Sequence, residues 1–184
     1  MRRLCFYLCF VLMMINCAGF KNTGSTHGVL SRENVSRIDG SYNNYPVEGD
    51  PGYVDGLADI FDRNKDMFTR RNKYDTRAVH FKLKSISEDK MNVKIYRKEE
   101  LLFDKDMKMK LKNDGFLYLK EKRLMLDGLP LIFGGWNVQK SRFTVDENNR
   151  LTVETNYFFF RGAMIVMNDW KTFHYHLTFE KQKP

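Results

Sequence analysis

The chain has 184 residues, 42% of them hydrophobic and 14% aromatic, with a formal charge of +8. A chain of this size makes about one domain and hides roughly two-thirds of its unfolded surface without disulfides or metals. Without Arg2 and Arg3, 29 basic residues face 23 acidic ones, a net charge of +6 spread along the chain. A nucleic-acid binder masses its basic residues on one helix or stripe with stacking aromatics. Nucleic acid is therefore not expected as a partner; the charge pattern reads as a solvated surface, with a weak preference for anionic lipid or glycan surfaces as the alternative.

Met1-Arg2-Arg3 is a short positive stretch, and Leu4 to Ile15 is an apolar run of twelve residues. Such a run is too short to cross a hydrocarbon core of ~30 Å as a helix, so residues 1–16 read as a signal peptide. All three cysteines, Cys5, Cys9 and Cys17, precede Ala18, which leaves no disulfide framework for the folded part. Met14-Ile15-Asn16-Cys17 resembles the bacterial lipoprotein box, with Met14 and Asn16 in place of the usual leucine and small residue. The resemblance implies that Cys17 becomes the acylated first residue, which fixes the chain to the cell envelope at the outer membrane or periplasmic face. The alternative is cleavage after Gly19, which discards Cys17. Each buried methylene contributes ~0.8 kcal/mol, so several acyl chains anchor a domain where one holds it only marginally.

Residues 17–37 are rich in Gly, Ser, Thr, Asn and charge, without sustained periodicity, and are expected to form a flexible tether. About twenty such residues reach ~25 Å, enough to hold a domain clear of the headgroups. The folded domain is expected over 38–184. Leu57, Ile60 and Phe61 follow helical spacing and predict one short helix in Val54 to Asp62, capped by Asp55, that plugs one end of the sheet. Asp62-x-Asn64-x-Asp66 resembles half of an EF-hand loop, but Met67 stands where glycine must turn and Lys73 where a bidentate glutamate belongs.

From Val79 onward apolar and polar residues alternate with the period of strands, most cleanly in Met107-Lys108-Met109-Lys110-Leu111-Lys112. The same pattern marks Val79–Lys84, Met91–Tyr96 and Phe173–Phe179. Ser87–Lys90, Asn113–Gly115 and Asp146–Asn149 are turn signals. Further strands are expected over Gly115–Lys122, Arg123–Leu131, Val138–Val145, Arg150–Asn156 and Tyr157–Met167. The sum is an all-β, antiparallel up-and-down meander of eight to ten strands, closed or nearly closed into a barrel, because closure removes exposed edges.

His174 and His176 share the solvent side of the last strand, since Phe173, Tyr175, Leu177 and Phe179 claim the buried face, and no metal site is expected of them. Nucleophile, zinc-protease and phosphate-loop motifs are missing from the sequence, so neither catalysis nor a cofactor is expected. Tyr157-Phe158-Phe159-Phe160 is apolar on both faces, and Trp136 follows Gly134-Gly135. Alternation separates Phe158 and Phe160 from Tyr157 and Phe159. Whichever pair lies outside is covered by the helix or forms a partner surface. Trp136, Phe158 and Phe160 are the candidate ligand-binding residues.

Gly40-Ser41-Tyr42, the segment Leu57 to Phe61, the run Phe116-Leu117-Tyr118-Leu119 and the terminal Tyr175-x-Leu177-x-Phe179 resemble the layout of short Bacteroidetes-type lipoproteins. Gly40-Ser41-Tyr42 also resembles the Gly-x-Trp that opens lipocalin barrels. The resemblance implies an anchored, lipocalin-like barrel holding a small hydrophobic ligand or lipid. The competing expectation is an envelope protein that contacts a protein or glycan partner through its outer face.

Overall fold

Among the described residues nine strands follow one another: β1 (Gly40–Asn43), β2 (Val79–Ser87), β3 (Lys90–Arg97), β4 (Glu100–Leu111), β5 (Leu117–Leu119), β6 (Arg123–Leu129), β7 (Phe133–Val145), β8 (Leu151–Ala163) and β9 (Met167–Phe179). The computed structural model describes Phe20 and residues 28–50, 52–62, 72–120, 123–129, 133–163 and 167–182. Residues 1–16, expected as a signal peptide, Cys17, and residues 63–71 with Asn64, Asp66 and Met67 lie outside them.

Every ladder is antiparallel and joins neighbours in the order β1-β2-β3-β4-β5-β7-β8-β9. β6 pairs the upper part of β7, from Phe133 to Gln139, while β5 pairs Arg142 and Phe143 further along, so the two short strands share one edge and the meander has eight positions. The expected meander is thus the observed fold. The strands expected over Arg150–Asn156 and Tyr157–Met167 join in one strand, β8, over Leu151–Ala163, because a run apolar on both faces masks the alternation that continues through it, and Met167 opens β9.

The sheet curls into a half-barrel whose ends touch at two isolated bridges. Val47 N donates to Thr178 O at 2.7 Å, Thr178 N donates back to Glu48 O at 2.9 Å, and Gln182 N donates to Ser41 O at 2.8 Å. The bridges Tyr42↔Lys181 and Glu48↔Thr178 therefore cover part of the free edge of β9 without a continuous ladder.

A short helix, α1 (Leu57–Phe61), is wholly buried inside the curl. Phe61 stacks on Phe143 of β7 at 5.4 Å and meets Phe81 of β2 at 6.2 Å, which joins strands that lie far apart along the sheet. The expected cap, Asp55, does not serve. Gly56 occupies the cap position, and Asn44 beyond β1 accepts from Leu57 N through its carbonyl at 3.1 Å and from Ala58 N through Oδ1 at 2.8 Å.

The packed domain also begins before residue 38. Leu30 is buried, Gly28 N donates to Asp114 O at 2.9 Å, Leu30 N donates to Gly115 O at 3.1 Å, and Val35–Ile38 forms a turn of 3-10 helix. Gly28 and Gly115 make this approach feasible: a Cβ on Gly28 would lie 2.0 Å from the Gly115 carbonyl oxygen, and Gly115 itself adopts φ +73°. The stretch expected as tether thus ends in an ordered strap across the β4–β5 turn.

Candidate functional site: the outer face of β7, β8 and β9

Register decides which side chains meet. Phe143, Val153 and Leu177 stand opposite one another and are buried in the core. Over 136–145, 151–160 and 169–179, odd-numbered residues of all three strands therefore face inward and even-numbered residues face outward. Tyr157 and Phe159 point in, where Tyr53 stacks on Tyr157 at 5.5 Å and Phe173 lies 5.9 Å from Phe159. Phe158 and Phe160 point out.

The outward set forms a row. Trp136, Phe160 and Trp170 are direct neighbours across the three strands, and Phe158 follows opposite Val138. The Trp136 ring lies 4.9 Å from Phe158 and 6.1 Å from Phe160. Trp170 is 65% exposed, while the other three are half-buried. The structure brings all three sequence candidates together, on the convex side rather than inside the curl, and adds Trp170. Trp170 is the fourth residue of β9, three residues before the alternation that begins at Phe173, and its place beside Phe160 follows only from the β8–β9 register.

Further along the same face runs a chain of charged groups. Arg142 Nε donates to Glu154 Oε2 at 2.7 Å, and Arg142 Nη1 donates to Tyr118 Oη at 2.9 Å. Tyr118 in turn donates to Asp114 Oδ2 at 2.5 Å. Glu154 is 3% exposed and Arg142 8%, an uncommon depth for an outer face, because Phe116 and Phe20 cover the guanidinium at 4.0 and 4.6 Å. Burial opposes the Arg142 charge, but its bonds to Tyr118 and Glu154 outweigh burial and raise its affinity for the proton. Burial, then the bond to Asp114, pushes the Tyr118 phenol up. His176 Nδ1 lies 3.6 Å from Glu154 Oε1, and that carboxylate raises the histidine above its ordinary value. With His176 protonated, two positive and two negative groups balance.

His174 and His176 are both exposed, as their side of the strand requires, and His174 Nδ1 meets Asn156 Oδ1 at 2.7 Å. Asp62 is taken by Lys73 at 2.6 Å and by the Tyr74 hydroxyl. A cleft of about 810 Å³ lies between residues 28–32, the β2–β3 loop and the β4–β5 turn. It mixes Lys110, Lys112 and Lys120 with Glu88, Asp89 and Asp114, so its walls select no single ligand chemistry.

No protein-family model, curated protein or solved structure matches the chain.

Proposed function

We propose that the chain is an exported lipoprotein, anchored in the bacterial envelope through acylated Cys17, that acts by contact through the outer face of β7–β8–β9 rather than by catalysis. The observation that carries the contact reading is the aromatic row Trp136–Phe160–Trp170, which stands on the convex side of the sheet with Trp170 65% exposed. An aromatic surface facing solvent is unfavourable unless something covers it. The anchor reading is supported by the leader and by Cys17 at its end.

A photo-reactive amino acid placed at Trp170 of the full-length chain in living bacteria tests the contact, with the same group at Lys82 on the outer face of β2 as reference. Adducts from position 170 and none from position 82 are expected. Equal or absent labelling removes the contact reading. Intact mass of the membrane-purified protein against Cys17→Ser tests the anchor, with acyl mass expected only in the parent chain.

A second reading, a small hydrophobic ligand inside the curl, is favoured by the inward face of β7. Gln139 is 5% exposed there with its amide nitrogen lacking a partner, beside the hydrogen-bonded pair Ser141–Thr155 and the ring of Tyr157. A buried donor of this kind suits the polar end of an amphiphile. Mass spectrometry of an organic extract of the purified protein tests it: a stoichiometric small molecule is expected, and an empty extract removes this reading.

A further inference from the structure

The aromatic row shares its face with the point where the chain arrives from the leader. The Phe20 ring meets Tyr118 edge-on at 5.6 Å and lies 4.6 Å from the Arg142 guanidinium, on the outer side of the sheet. Arg142 and Trp136 are both outward positions of β7, six residues apart, or about 20 Å at the rise of a strand. Only three peptide units separate Phe20 from Cys17, a reach of at most about 11 Å. Acyl groups on Cys17, the anchor proposed above, would attach no further than that reach from Phe20. The twenty-residue spacing expected of a free tether does not operate, because Phe20 and Gly28 are both held against the domain.

We propose that the outer face of β7–β8–β9 lies on the lipid bilayer itself, with Trp136, Phe158, Phe160 and Trp170 in the headgroup region and the acyl groups of Cys17 entering the same leaflet. The proposal rests on the anchor reading above and names what the outer face touches. Indole rings are amphipathic and favour the membrane interface. Lys140 and His174 lie opposite each other through Asn156 between the aromatic row and Arg142, so polar groups border the rings on this face. Once acylation holds the domain at the bilayer, the docking contact is effectively intramolecular, so a patch of four rings suffices to orient it.

Trp136 and Trp170 are the only tryptophans of the chain, so its fluorescence reports on this face alone. The acylated full-length protein, purified from bacterial membranes, is reconstituted into vesicles of phosphatidylethanolamine and phosphatidylglycerol, with and without brominated phospholipid. Trp136→Phe leaves Trp170 as sole reporter, and a control chain combining Trp136→Phe, Trp170→Phe and Lys82→Trp puts the reporter on the outer face of β2. Blue-shifted emission from Trp170, several-fold lower quenching by aqueous iodide than in the control, and quenching by brominated lipid are expected. An acylated chain that floats with the vesicles while Trp170 stays as open to iodide as the control overturns the docking and leaves the anchor standing. Shielding from iodide without quenching by brominated lipid shows a non-lipid occupant and equally overturns it. A chain that carries no acyl mass and does not float removes the anchor, and the docking with it.

Discussion

The two halves of the sheet treat their outer faces in opposite ways. Across β2–β4 the outside is a lattice of exposed lysines and carboxylates, with Lys94 3.3 Å from Asp104 and Asn92 bonded to Asp104 and Asp106. Across β7–β9 the outside carries an aromatic row at one end and a buried arginine–glutamate pair at the other. Both halves bury comparable apolar residues inward, so the stability of the core does not require the difference. One outer face is finished by charges that water solvates; the other leaves aromatic rings at the surface, with Trp170 65% exposed.

The inward side should dominate stability. Phe61→Ala removes the ring that joins β2 to β7 and is expected to cost about 4 kcal/mol, read as a drop in the urea midpoint. Glu154→Leu is expected to cost about 3 kcal/mol, because it leaves Arg142 charged and covered by rings. Pairing it with Arg142→Met should recover much of the loss, and a failure to recover would mean that the ion pair is not what Phe116 and Tyr118 are built around. Trp170→Ser should change stability by no more than about 0.5 kcal/mol, although it removes the largest exposed ring. A large loss would show that the ring is structural and would erase the contrast between the two halves.

The smallest effect concerns pH. His176 binds its proton more tightly in the folded state than in the unfolded one, because Glu154 is beside it. The stabilisation is fully present below the unfolded value near 6.5 and is lost as pH rises through the raised folded value. The ring is largely exposed and solvent screens it, so the expected change is about 1 °C in Tm across that window, absent in His176→Gln.

The alternation in β2, β3 and β4 was legible because each has one wet face, which stamps a period of two on the sequence. β8 was harder: its Tyr-Phe-Phe-Phe run is covered inside and half-covered outside, so no polar residue marks the phase, and one strand of thirteen residues reads as two. The candidate site was half legible. Trp136, Phe158 and Phe160 stand out as aromatics beyond the needs of a core, but their common face depends on register, and Trp170 joins them only through its pairing with Phe160. The Arg142–Glu154 pair left no mark at all, since two charges twelve residues apart look like solvated surface until a hairpin sets them opposite each other.

By itself the sequence determined an antiparallel meander with a single short helix, because the spacing of apolar residues is a local property that each segment carries alone. Tertiary structure alone decided that α1 is capped by Asn44 fourteen residues before Ala58, that Gly28 straps the β4–β5 turn, and that the aromatic row faces outward beside Phe20. These are contacts between segments distant in the chain, and their partners are chosen by the curl of the sheet rather than by any neighbouring residue.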